Sequence, residues 1–183
     1  MSDYRRAVTP GGCYFFTVVT HLRRELLATR GHVAVLRSVV REVRDALPFQ
    51  IDAWVILPDH MHCIWTLPPQ DRDFSKRWGL IKAGFTRHVA ASGESAPRTA
   101  SQLRRREGAV WQRRFWEHEI RDEQDFRLHM DYTHYNPVKH GLVTAVKDWP
   151  HSTFHQCVRN GIYPADWGGG VSRELDASAR FGE

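Results

Sequence analysis

His60 and His62 stand two residues apart in the run His60-Met61-His62-Cys63-Ile64-Trp65-Thr66-Leu67, directly after Pro58-Asp59. Side chains alternate between the two faces of a strand, so both imidazoles point one way while Met61, Cys63, Trp65 and Leu67 point the other. Neutral imidazoles at that spacing can share one divalent ion if a third ligand arrives from elsewhere in the chain. A His-x-His pair also arises by chance in many strands, so its chemistry depends on a partner. The candidate partner is Tyr132-Thr133-His134-Tyr135-Asn136-Pro137-Val138-Lys139-His140-Gly141-Leu142-Val143.

On a continuous helix, Tyr132 and Asn136 project from one face a single turn apart, so one element can bring both a nucleophile and a ligand. If that helix packs beside the histidine strand, the Asn136 oxygen completes a site of two nitrogens and one oxygen that leaves positions open for a phosphate. A divalent ion there polarises phosphoryl oxygens and stabilises a departing 3′ oxygen. Attack by the Tyr132 phenol leaves a 5′-phosphotyrosine, whose ester retains the energy needed to rejoin strands without a nucleotide cofactor. The chain has no glycine-rich phosphate loop of the Walker kind, which agrees. An ordinary phenol has a pKa near ~10, so the metal, a cation such as Lys139, or a bound water has to ease its ionisation.

Two alternatives stay open at this stage. Asn136-Pro137 with Gly141 also reads as the cap, first-turn proline and terminal glycine of a new short helix, because proline disfavours helical geometry in the residue before it. Tyr135, three residues from Tyr132, is the rival nucleophile, and His129, His134 and His140 are further possible ligands or proton carriers.

The elements that must position these groups follow from periodicity. Cys13 to Thr20, after the Pro10-Gly11-Gly12 turn, is rich in aromatic and β-branched residues and predicts a strand. Val33, Leu36, Val39, Val40, Val43 and Leu47 predict an amphipathic helix that ends before Pro48. Phe49 to Leu67 predicts two strands joined at Pro58-Asp59. Phe74, Trp78, Ile81, Phe85 and Val89 form the apolar stripe of a second helix, with Lys76, Arg77, Lys82, Arg87 and His88 on its remaining surface. That basic surface reads either as ordinary solvation or as a nucleic-acid backbone contact. Residues 92–109, with the run Arg104-Arg105-Arg106, predict a loop, and Val110 to Ile120 a strand with aromatics interleaved among arginines. A third helix starts near Asp122-Glu123. The order β-α-β-β-α-β predicts an α+β, ferredoxin-like antiparallel sheet with an added helix. Trp149-Pro150-His151-Ser152 reads as a docking segment. Residues 1–158 are expected to form one domain, followed by a tail (159–183) that looks loose.

At 183 residues, one domain is the expectation. The excess of 26 Lys and Arg over 21 Asp and Glu fits a polyanion partner. Three widely spaced cysteines, Cys13, Cys63 and Cys157, read as thiols in a reducing compartment, and no apolar run approaches a membrane span, so a cytoplasmic location is expected.

On Val55 to Leu67, Trp111-Gln112-Arg113-Arg114-Phe115-Trp116, Tyr132 to Val143 and Trp149 to Ser152, the chain resembles the REP-associated tyrosine transposases. These are a branch of the HUH endonuclease superfamily, and the likeness spans roughly residues 5–160. Thr133 departs from the isoleucine of many relatives, and Ser152-Thr153 replaces a usual pair of serines. The resemblance implies His60, His62 and Asn136 as ligands of Mg²⁺ or Mn²⁺ and Tyr132 as nucleophile. It further implies cleavage and rejoining of single-stranded DNA beside palindromic REP-type hairpins, with nucleoid association when the protein is bound to DNA. Arg5, Arg6, Lys76, Arg77, Lys82, Arg87, Arg113, Arg114 and Lys139 are candidate phosphate contacts, and Trp111 or Trp116 a base-stacking platform. The competing readings are a repressor-like hairpin-binding protein without catalysis, and a nuclease in which water attacks. Monomer and homodimer are both open.

Overall fold

A computed structural model describes residues 9–168 apart from residues 28, 95–96 and 106–107, and the side chain of Arg30 is likewise left out. The four strands are β1 (Cys13–Val19), β2 (Gln50–Ile56), β3 (His60–Thr66) and β4 (Trp116–Glu119). The helices are α1 (Arg30–Ala46), α2 (Phe74–Ala91), α3 (Ala100–Arg104), α4 (Glu123–Lys139) and α5 (Phe154–Arg159). The sheet order is β2-β3-β1-β4 with antiparallel neighbours, so β3 lies between β1 and β2, and the expected ferredoxin-like α+β fold is the observed one.

The pleat sorts the strands' side chains into two layers. Phe16, Met61, Cys63 and Trp65 join the helix residues Leu36, Val40, Phe74, Trp78, Ile81 and Phe85 in the larger core. Phe15, Ala53 and Ile64 face the opposite way, against Met130 and Tyr132 of α4. α1 and α2 therefore cover one face and the added helix α4 covers the other. Burying Phe15 completely contributes on the order of 2–3 kcal/mol at the centre of that second layer. α1 and α2 approach closely at Gly84, where a Cβ would come within 2.7 Å of Val39 Cγ1.

Caps fix the helix ends. The Thr29, Asp73 and Asp122 side chains accept from the backbone N–H of His32, Lys76 and Asp125 at the starts of α1, α2 and α4. α4 runs through Pro137 without a break, so Asn136 lies inside one helix and no new helix starts there. The helix stops at Gly141, whose φ of 66° is the left-handed conformation that favours glycine.

Several expectations need correction. The strand predicted over Val110 to Ile120 is only Trp116–Glu119, with Trp111 in an isolated bridge to Thr20. The exposed run Gln112-Arg113-Arg114 interrupts the pairing, because three long polar side chains in succession cannot alternate into a buried face. The predicted loop contains α3, whose Thr99 and Gln102 form a capping box at the Thr-x-x-Gln spacing. The segment from Gly161 to Gly168 is not loose: Tyr163 and Trp167 pack with Phe154, and the Tyr163 hydroxyl donates to Asp131 Oδ1 at 2.6 Å. Residues 169–183 lie outside the described residues.

The docking segment behaves as expected. Trp149 Nε1 donates to Ile56 O at 3.0 Å, the Ile56 N–H donates to His151 O at 2.9 Å, and Ser152 bridges to Val55, so the edge of β2 is covered. Cys63 and Cys157 are buried free thiols and Cys13 is half-buried. Among the described residues, no helix is long and apolar enough to cross a membrane.

Candidate active site

The histidine pair is held by the hairpin that precedes it and the strand beside it. Leu57 N–H donates to His60 O at 2.9 Å to close the turn, while Pro58 O and Asp59 O accept from Leu27 and Thr20. In the β1–β3 register Thr17 lies opposite His62, and its hydroxyl hydrogen-bonds His62 Nδ1 at 2.9 Å. His60 Nδ1 donates to Asp59 Oδ1 at 2.6 Å, and Asp59 Oδ2 accepts from Arg23 at 3.0 Å. Burial alone would raise the Asp59 carboxyl, but the hydrogen bonds and charges of His60 and Arg23 outweigh it and hold it at about 2. Asp59 is therefore a carboxylate that keeps the His60 proton on Nδ1 and turns Nε2 toward any ligand. The Thr17 hydroxyl holds the His62 ring by its Nδ1 and so orients it without fixing which nitrogen carries the proton. Both rings are almost fully buried and their centroids lie 4.9 Å apart.

α4 lays one stripe along this pair. Tyr132 meets His62 edge-on at 5.2 Å between centroids, and His140, two turns further on, meets His60 at 5.0 Å. Asn136 stands midway on that stripe, with no exposed surface. The phenol is also gripped from its own helix: Lys139 Nζ donates to Tyr132 Oη at 3.2 Å and lies 4.8 Å from the ring centroid. Two oriented imidazoles and a buried carboxamide are a donor set that fits a divalent ion, and the chemistry of these groups, with N and O but no S, suits several first-row ions as well as Mg²⁺.

The helix sends the two tyrosines to different surroundings. Tyr135 packs with Val146 and Phe154 in a separate apolar cluster, whereas Tyr132 packs against Phe15 and His62. His134 is buried against Thr153, and burial pushes its imidazole down to about 4. Of the three histidines read as possible ligands or proton carriers, His140 is the one whose ring meets His60.

The candidate DNA-contact residues divide into groups. Lys82, Arg87, Trp111 and Arg113 line one cavity of about 410 Å³, together with Arg98 and Gln112, which the sequence reading did not single out. Lys82 Nζ donates to Gln112 O at 3.0 Å and covers the Phe115 ring, while Trp111 is buried against Phe85. Lys76 and Arg114 are exposed, and Trp116 is half-buried beside Phe15. Arg77 is a correction: only 2 % exposed, it is bonded to Asp71, Asp73 O, Leu47 O and Pro48 O, so its guanidinium is committed to the fold and not to a phosphate. Arg5 and Arg6 lie outside the described residues.

Comparison with known proteins identifies the family. Residues 11–135 match the family described as Transposase IS200 like. The chain is 48 % identical over 172 residues to the REP-associated tyrosine transposase of Escherichia coli K12, covering 94 % of each chain. It is 45 % identical over 169 residues to a putative REP-associated tyrosine transposase of Haemophilus influenzae, covering 92 % of this chain and 94 % of the other. A solved structure of a REP-associated tyrosine transposase bound to a REP hairpin superposes with a TM-score of 0.80 at 46 % identity, covering 100 % of this chain and 98 % of that one. With that identity sustained over nearly the whole chain, and with the same fold, the protein is a transposase that belongs to the REP-associated tyrosine transposases.

Proposed function

We propose that the protein cleaves and rejoins single-stranded DNA beside REP-type hairpins, with Tyr132 as the nucleophile. The observation that carries this reading is the α4 stripe, in which Tyr132 and His140 flank Asn136 and meet His62 and His60. In the forward step a bond forms between Tyr132 Oη and the scissile phosphorus while the bond from phosphorus to the 3′ oxygen breaks. The phenolic proton is lost and the departing oxygen is protonated, leaving a 5′-phosphotyrosine and a 3′-hydroxyl. Lys139, hydrogen-bonded to the phenol oxygen, stabilises negative charge as it develops there. His60, His62 and Asn136 are the residues that would hold Mg²⁺ or Mn²⁺, which when bound polarises the phosphoryl oxygens and stabilises the departing oxygen. Attack by the 3′-hydroxyl of a second strand reverses the step.

The basic cavity beside Trp111 and the exposed Lys76 and Arg114 are the surfaces to which we assign the DNA backbone, and the hairpin in the related solved structure supports a hairpin as partner. The location expected of such an enzyme is the cytoplasm, on the nucleoid. The test is a denaturing gel of a labelled REP hairpin incubated with the full chain and Mn²⁺. A covalent protein–DNA adduct that disappears in Tyr132→Phe and persists in Tyr135→Phe is the expected result. Cut DNA without adduct would replace the tyrosine with water, and bound but intact DNA would reduce the protein to a hairpin-binding one.

A further inference from the structure

A second set of metal-type donors lies on the other side of Phe15 from the histidine pair. The Phe15 ring stacks on His62 at 5.5 Å and meets His129 of α4 at 4.8 Å. His129 and His118 of β4 are themselves stacked, 4.6 Å apart and 12° from parallel. Asp125, in the first turn of α4, joins them: Oδ2 lies 2.8 Å from His118 Nε2 and Oδ1 lies 3.1 Å from His129 Nδ1. One donor atom from each of the three residues lies within 4.8 Å of the other two.

From this geometry we infer that His118, Asp125 and His129 form a second divalent-metal site, selective for a borderline first-row ion such as Zn²⁺, which ties α4 to β4. Two imidazoles and a carboxylate, with coordination positions left for water, are a donor set that favours such ions over Mg²⁺. Bonds of about 2.0–2.1 Å would place neighbouring donors about 3.0–3.4 Å apart, so the two carboxylate–imidazole separations need to open by only a few tenths of an ångström. Asp125 and His129 are buried, at 8 % and 4 % side-chain exposure, while His118 at 25 % provides the way in. Binding through His118 Nε2 and His129 Nδ1 leaves each neutral ring with its proton on the other nitrogen, so the hydrogen bond that His129 Nδ1 donates to Asp125 O at 2.8 Å is given up, and the carboxylate remains ionised throughout.

Arg121 is the internal competitor. Its Nε lies 3.2 Å from Asp125 Oδ2, and its backbone N–H also donates to that oxygen, but the side chain is 72 % exposed and can leave. The guanidinium and the ion would contend for one carboxylate, which gives the site a response that a hydrogen-bonded clamp alone would not have.

The experiment is equilibrium dialysis of the full chain against Zn²⁺ alone, with bound metal counted per chain and circular dichroism checking the fold. The His60→Ala/His62→Ala double variant should retain one tightly bound Zn²⁺, and His118→Ala should lose one relative to the wild type. Failure of the His60, His62 and Asn136 site would appear differently, as an unchanged count in the double variant. Arg121→Ala, which leaves all three ligands in place, should tighten Zn²⁺ binding several-fold. Loss of all Zn²⁺ from the double variant, or Zn²⁺ affinity in Arg121→Ala unchanged or weakened, would overturn the assignment.

Discussion

Replacing Arg77 by alanine should unfold the protein more readily without changing how it meets DNA. Its guanidinium donates to Leu47 O at 3.2 Å, Asp73 O at 3.0 Å and Pro48 O at 2.8 Å, and takes both Asp71 oxygens at 3.1 and 2.7 Å. The same hydrogen bond holds the Asp71 carboxyl below the usual carboxylate range. Removing one partner of a buried pair costs about 3–5 kcal/mol, and the lower end applies because Asp71, 30 % exposed, and the exposed Pro48 can rehydrate. For a chain of this size ~3 kcal/mol corresponds to a fall in Tm of roughly 6–12 °C. Arg77→Lys should recover little, since one ammonium cannot replace a planar fork. Urea denaturation gives the stability, and hairpin affinity against salt, measured well below both transitions, gives the number of phosphate contacts. Arg77→Ala should keep the wild-type salt slope, whereas Arg87→Ala should hold its stability within ~0.5 kcal/mol and lose about one unit of slope. An Arg77→Ala protein of unchanged stability with a shallower salt slope would return this residue to the DNA surface and refute the reasoning.

The other predictions bear on the site and on acid stability. Lys139→Ala should slow adduct formation on the order of 10- to 100-fold in a single-turnover assay while hairpin affinity changes much less; equal rates would remove Lys139 from the chemistry. Thr17→Val takes away the group that orients His62 Nδ1, so the Mn²⁺ concentration giving half-maximal cleavage should rise about 10- to 100-fold, and an unshifted metal titration would exclude that role. His134, pushed by burial to about 4 from the ordinary imidazole value near 6.5, contributes stability that is complete above about pH 6.5 and is lost as the pH falls toward 4. Between about pH 7.5 and pH 5 the loss should be about 2 kcal/mol, and thermal melts of His134→Gln should show a correspondingly flatter acid limb; parallel curves would show that this imidazole is not the titrating group.

Much of the fold was written locally. The aromatic and β-branched run of β1, the apolar stripes of α1 and α2, the acidic start of α4 and the glycine at its end depend on neighbours a few residues away, and each predicted its element. The alternation of a strand likewise placed His60 and His62 on one face before any partner was known. Long-range packing decided the rest. Tyr132 and Tyr135 differ by only about 60° around a helix, and what separates their surroundings is the contact of Tyr132 with Phe15 and His62 across the sheet. Pro137 was compatible with a break, and the packed helix passed through it. Arg77 looked like its basic neighbours until the chain after α1 brought two carbonyls and Asp71 around it. The orienting contact of Thr17, the approach of His140 to His60, and the cluster of His118 with Asp125 and His129 all join groups on different elements or loops. Local sequence sets which way a side chain leaves the backbone, and only the closing of the sheet and the seating of α4 decide what it meets.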